Sequence, residues 1–305
     1  MSDRAPSLPI RILRETKRMA YRLIEMIWSA IFVSPPGQWV RQRWLRRGSH
    51  ADAPQANVAL VAHVFYPDLF GEILAAHRTL PQRAALIVTA PWEKLAEIRA
   101  LCPPDVDLRL HASPNRGRDV APFLMLLNAG MLDPFDTVLK LHTKKSPHLL
   151  FGGLRRRMLY LSLAGDRSNV ARILSHFARS NAGLVGMRSL FRSRPSFWMA
   201  NRDRVTGLCA RMTPPAEPQL AFFEGTMFWV RVAALAPLRA AAIGESEFEE
   251  EAGQLDGTLH HALERAFSLS ALAAGYEVRD LQGRRLGPMP DKAGLAASGQ
   301  ISQER

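Results

Sequence analysis

Two short segments concentrate the residues able to hold an anion: SPNRGRDVAPF (113–123) and VLKLHTKKS (138–146). In the first, Gly117 permits a tight turn, and the helix that follows offers unpaired N–H groups at the positive end of its dipole. Asn115 leads into the turn, and Arg116 and Arg118 add fixed charge with the fork geometry that grips a phosphate. Asp119 is placed either to cap the helix or to hold a ribose or sugar hydroxyl. In the second, Lys140 and His142 lie two residues apart on a strand and share one face, with Lys144 and Lys145 just past its end. Cations gathered in this way repel one another unless an anion balances them. A basic surface turn would account for the last two lysines but not for a lysine inside an apolar strand. Together the segments predict a diphosphate site.

Such a site needs a frame that brings two distant segments together. From Val58 onward, short apolar runs alternate with helix-length stretches: strands at 57–65, 84–90, 107–112 and 136–143, and helices at 68–80, 92–102 and 121–130. That alternation predicts βαβ units and a parallel sheet, in which ligands bind at the carboxyl ends of the strands. Three polar signals fall at such ends: 63–68, 113–119 and 142–146. Further along, helices are expected at 155–165, 169–180 and 255–275, and strands at 183–187 and 222–232. An irregular Arg/Pro/Trp-rich region at 188–218 lies between them. The chain after residue 280 reads as a flexible tail.

Composition narrows the partners. Of 305 residues, 47% are hydrophobic and 22% charged, which places the chain among globular rather than disordered proteins. A net charge of +12 favours anionic partners: nucleic acid, an acidic membrane surface or a phosphorylated small molecule. No helix-turn-helix, zinc or ribonucleoprotein signature supports nucleic acid. The two cysteines, Cys102 and Cys209, form neither a metal motif nor a disulfide framework, which suits a reducing cytoplasm. Residues 1–50 hold ten Lys/Arg against three acids, with Ile, Leu and Met near helical spacing and Trp28, Trp39 and Trp44 among them. This segment is read either as an amphipathic helix in the headgroup layer of an anionic bilayer or as a helix packed on the protein itself. Ser34-Pro35-Pro36-Gly37 is expected to end its helix, and 49–55 to be a linker. The whole chain is read as unexported.

The ordered motifs NRGRDVAPF, VLKLHTKKS, EGTMFWVR (224–231) and QLDGTLHHALER (254–265) resemble the rhamnan synthesis protein F family of bacterial glycosyltransferases, which assemble cell-surface polysaccharides. HVFYPD (63–68) is similar to that family's first strand and loop. The resemblance covers about residues 57–280 and leaves the basic N-terminal segment outside. It implies an α/β, GT-A-like, Rossmann-type nucleotide-sugar fold with a mostly parallel sheet. It also implies a donor site drawn from His63, Tyr66, Asn115, Arg116, Gly117, Arg118, Asp119, Lys140, His142, Lys144 and Lys145.

In the commoner GT-A enzymes an Asp-X-Asp motif holds a divalent metal on the donor diphosphate. Here the similar place reads His142-Thr143-Lys144, and protonated lysines cannot ligate a metal. The expectation is therefore a transferase with no metal cofactor, in which Lys144 and Lys145, with His142 as a further candidate, neutralise the leaving diphosphate. Inversion at the anomeric carbon requires a carboxylate base. Asp256 occupies the place similar to the base of those enzymes, with a helix cap as its ordinary alternative, and Glu224 is the second candidate. Gly225, Thr226, Trp229 and one or two of Arg155–Arg157, Arg156 among them, are expected at the acceptor, although an aromatic in an apolar strand is more often core. Glu249, Glu250 and Glu251 read as a solvated charge run.

The expected reaction moves a deoxyhexose, rhamnose from dTDP-rhamnose by the family's name, to a lipid-linked glycan at the inner face of the cytoplasmic membrane. The competing class is a non-catalytic, membrane-associated component of an assembly complex that binds nucleotide-sugar. A nucleic-acid-binding protein ranks last.

Overall fold

The computed structural model describes residues 23, 27, 30–45, 56–145 and 152–288. The basic run before residue 23, the linker at 49–55, Ser146 and the chain beyond 288 lie outside the described residues.

The expected strand–helix alternation is present: β1 (Val58–His63), α2 (Phe70–His77), β2 (Ala85–Ala90), α3 (Leu95–Leu101), β3 (Leu108–Ala112), α4 (Val120–Asn128) and β4 (Thr137–His142), preceded by α1 (Pro35–Leu45). Then follow α5 (Gly152–Ala164), α6 (Arg167–Arg179), β5 (Ala182–Gly186), β6 (Phe191–Arg192), α7 (Arg202–Arg211), β7 (Phe222–Phe223), β8 (Phe228–Arg231), α8 (Ala236–Ala240), α9 (Leu259–Ala273), β9 (Glu277–Asp280) and β10 (Arg285–Leu286). Eight strands form one mixed sheet in the order β10-β9-β5-β8-β4-β1-β2-β3, with β6 and β7 paired apart. β3, β2, β1 and β4 run parallel, as do β5 and β9, whereas β8 runs antiparallel between β4 and β5.

The central strands β1, β2 and β4 are buried at every position because helices cover both sheet faces. Along β1, Ala59 and Val61 join a core with residues of α4, α7, α8 and α9, while Val58, Leu60 and Ala62 join one with residues of α2, α3, α5 and α6. The chain passes from β1 outward to β2 and β3, then returns to place β4 on the other side of β1. Strand order reverses there, and His63 and His142 are register partners at the carboxyl ends.

Four departures from the sequence reading have local causes. Ser34-Pro35-Pro36-Gly37 does not only end a helix. Ser34 Oγ accepts from Gly37 N–H at 3.2 Å and Pro35 opens α1, since a first-turn proline costs no backbone hydrogen bond. The 222–232 segment is two strands parted by a turn, because Gly225 and Thr226 take φ values of 92° and 51°. The 188–218 region contains helix α7, whose Val205, Leu208 and Cys209 pack on the core with α9. The flexible tail does not begin at 281, because β10 pairs with β9.

Candidate functional site

A cavity of about 470 Å³ opens beside the carboxyl end of β4. Its walls come from the turn before α4, the end of β4, α5, the turn between β7 and β8, and the start of α9. Three of the four non-glycine residues with left-handed backbone among the described residues line it: Arg118 (φ 53°), Met199 (φ 49°) and Thr226 (φ 51°). Strain of this sort persists only where the surroundings over-determine it, and it collects at functional sites.

The turn before α4 is built by Gly117. Its φ of 62° suits glycine, and a Cβ there would stand 2.4 Å from the Phe248 ring and 2.6 Å from Ala121. Arg118 continues the left-handed turn, and Asp119 begins the helix without capping it by its side chain. The carboxylate turns inward instead. Asp119 Oδ2 accepts from Lys140 Nζ at 2.5 Å and from the Thr226 hydroxyl, and His142 Nδ1 stands 3.1 Å away, off the direction of a ring N–H bond.

Lys140 is 1% exposed, and its ammonium also donates to Thr226 O at 3.1 Å and Thr226 Oγ1 at 3.2 Å. The anion that balances the strand lysine is thus Asp119, and Lys140 has no donor left for a diphosphate. Burial alone would raise the Asp119 pKa, but the charges of His142 and Lys140 hold it well below the usual carboxylate range. The His142 pKa is lowered in turn, because its burial outweighs the attraction of Asp119.

The other expected donor residues divide into two groups. Lys144 is exposed and lines the cavity, as do Arg118, Asp119 and His142. His63 is buried with Nδ1 3.1 Å from Thr89 Oγ1, and burial pushes its pKa down to about 4. The Tyr66 backbone N–H donates to Thr143 Oγ1, and Lys145 sits 4.8 Å over the Tyr66 ring while pairing with Asp68 at 2.8 Å. Asn115 is exposed outside the cavity lining.

The arginines of the turn hold the acidic run that reads as solvated surface. Arg116 pairs with Glu250 at 3.0 Å. Arg118 binds Glu251 through Nε and Nη2 at 3.0 and 3.1 Å and reaches Gln254 O at 2.7 Å. Glu249 accepts from Leu259 N–H at the start of α9 and pairs with Arg204. The run is a docked strap, because each of its carboxylates meets an arginine.

Both expected bases line the cavity, and both are engaged. Asp256 does not cap α9, where Thr258 holds the cap position. Its carboxylate accepts from Ala200 N–H at 2.9 Å and Asn201 Nδ2 at 2.6 Å, bonds that lower its pKa against the effect of burial. Glu224 meets Arg155 at 2.9 Å and Arg192 Nη2 at 2.6 Å, and these charges likewise overcome burial to lower its pKa.

Of the expected acceptor residues, Gly225 and Thr226 line the cavity. Trp229 does not: it is 0% exposed, and its indole N–H donates to Leu163 O at 2.9 Å, because the aromatic faces the apolar core between β8 and α5. Arg156 reaches the wall, but its guanidinium is spent on Glu72 at 2.9 and 3.0 Å and on Lys144 O at 2.7 Å. It positions the lysine loop and leaves no free fork for an acceptor.

The cavity adds a residue absent from the sequence reading. Glu264 on α9 lines the wall and accepts from Gly225 N–H at 2.6 Å. Burial, reinforced by the nearby Glu224 and Asp119, pushes its carboxyl up to about 7 despite Gly225 and Arg265. Its spacing after His260 and His261 would have flagged it, since residues three and four apart share a helix face.

Comparison with known proteins is consistent with the motifs. A protein named only as uncharacterized protein WxcX, from two strains of Xanthomonas campestris pv. campestris, is 32% identical over 228 residues. That match covers 74% of this chain and 33% of the relative, so the chain spans about a third of the length of these curated relatives. A crystal structure of S. aureus TarS 1–349 superposes with a TM-score of 0.41 at 10% identity, covering 75% of this chain and 59% of that one. The family model described as rhamnan synthesis protein F matches residues 1–276, and so takes in the N-terminal segment that the motifs alone left outside. The chain belongs to the rhamnan synthesis protein F family.

Proposed function

We propose that the chain is a glycosyltransferase of polysaccharide synthesis that takes a sugar from a nucleoside-diphosphate donor. The observation that carries this reading is the cavity beside the strand-order reversal, lined by the exposed Lys144 and by the carboxyl groups of Asp119, Glu224, Asp256 and Glu264. That is the pairing such a reaction needs: cations for the departing diphosphate and a carboxylate for the attacking hydroxyl's proton. Family membership supports the same reading.

The donor proposed is dTDP-rhamnose or another deoxyhexose nucleotide, transferred with inversion to a lipid-linked glycan. A divalent cation does not suit the end of β4. Asp119 Oδ2 already accepts from an ammonium and a hydroxyl, and the next positions offer one imidazole and the amine of Lys144. Among the described residues, no three His, Cys, Asp or Glu side chains gather as a metal site. The charge of the leaving diphosphate then falls to Lys144, whose ammonium has no ion-pair partner among the described residues.

The place of work proposed is the cytoplasmic face of an anionic membrane. Leu23, Ile27 and Ile31 are helical, four residues apart and about half exposed, and Trp39 is 62% exposed. Among the described residues no helix is long and apolar enough to cross a membrane.

Thermal unfolding with dTDP, UDP and GDP in EDTA tests the donor half. The expected outcome is a higher Tm with one of them, dTDP first, and loss of that shift in Lys144→Ala. Unchanged melting with all three contradicts the site.

A further inference from the structure

We propose that Glu264 is the proton acceptor of the transfer, a role that rests on the transferase reading above. Four carboxyl groups line the cavity: Asp119, Glu224, Asp256 and Glu264. Three are committed elsewhere. Asp119 is held by Lys140 and Thr226, Glu224 by Arg155 and Arg192, and Asp256 by Asn201 and the Ala200 N–H. A carboxylate stabilised by such partners is a weak base, because they favour its ionised form.

Glu264 receives one hydrogen bond, from Gly225 N–H to Oε1, and Oε2 receives none among the described residues. Its nearest cation, Arg265, stands 3.8 Å from Oε2 and directs its donors to Phe197 O and His261 O. The single hydrogen bond fixes the side chain without quenching it. It comes from the Gly225–Thr226 turn, whose left-handed backbone also presents the Thr226 hydroxyl to Asp119. One strained turn thereby orients an ionised carboxylate and a basic one within the same wall. Burial beside two acidic neighbours gives Glu264 a pKa of about 7, suited to taking a proton near neutrality.

The two cavity histidines of α9 are poorer candidates. His260 and His261 both contact Thr258 Oγ1, and burial lowers both, His260 to about 4.

In the step, the acceptor hydroxyl oxygen bonds to the anomeric carbon as the bond from that carbon to the diphosphate oxygen breaks. The electron pair leaves on the diphosphate, and the hydroxyl proton passes to the Glu264 carboxylate. The Lys144 ammonium balances the departing charge.

The test measures nucleoside-diphosphate release from dTDP-rhamnose and from UDP- and GDP-sugars, with the full chain, between pH 5 and 9. Wild type is expected to gain rate as pH rises through about 7. Glu264→Gln is expected to run at least about 100-fold slower at pH 8 and to lose that limb, while still melting higher with the nucleotide that stabilises wild type. A Glu264→Gln protein with the wild-type rate and profile overturns the assignment. Should the glutamine variant not fold, the wild-type profile decides, since a rate already level from pH 5 upward, with no limb near 7, also overturns it. A wild-type chain that releases diphosphate from none of these sugars overturns the transferase reading itself, and the role with it.

Discussion

Lys140 and Glu264 illustrate what a side chain's type says and what only its neighbours say. A lysine inside an apolar strand signals a buried anion, and that much is legible from VLKLH. The sequence does not reveal that the anion is the protein's own Asp119, because the two are 21 residues apart on separate strand–helix units. Removing a partner from such a buried pair leaves an uncompensated charge, which ties Lys140 to stability rather than to ligand. Glu264 has the opposite character, a carboxyl with too little compensation. Its pKa is about 7 folded against 4.5 unfolded, so the folded state binds its proton more tightly. Its contribution to stability is full below pH 4.5 and is lost as pH rises through about 7. Chemical denaturation should therefore show Glu264→Gln gaining on wild type from pH 4.5 to pH 8, by on the order of 2–3 kcal/mol. A pH-independent difference would mean that the Glu264 pKa is not raised by folding.

Elements were legible in proportion to their hydrophobic pattern. β1, β2 and β4 are buried at every position and read directly as short apolar runs. α7 was not legible: RDRVTGLCAR is mostly polar, and only Val205, Leu208 and Cys209 are buried. β8 read as part of a longer strand, because a left-handed Gly-Thr turn leaves little trace in hydropathy. Its antiparallel course was likewise silent, since pairing direction depends on where α6 and β5 return the chain. The N-terminal segment makes its own prediction. With Leu23, Ile27 and Ile31 exposed on helical turns and a strongly basic sequence around them, deletion of residues 1–50 should release the protein from anionic phospholipid vesicles in a sedimentation assay. Binding that persists would place the contact elsewhere.

For the whole molecule, the net charge of +12 favours anionic partners. The two basic segments that stand out in the sequence converge beside one cavity, yet most of their arginines and lysines already hold carboxylates: Arg116 and Arg118 hold the acidic strap, and Lys140 holds Asp119. A reading by charge alone overcounts the cations available to a ligand, and Lys144 is the one on which the proposed donor site most depends. The central claim is transfer from a nucleotide-sugar in which that lysine does the work of a metal. Its most direct test is sugar transfer from dTDP-rhamnose and its UDP and GDP counterparts in excess EDTA, comparing wild type with Lys144→Ala. The account predicts turnover by wild type that chelation leaves unchanged and that falls by about 100-fold or more in the variant. Activity that vanishes in EDTA and returns with magnesium or manganese would contradict it.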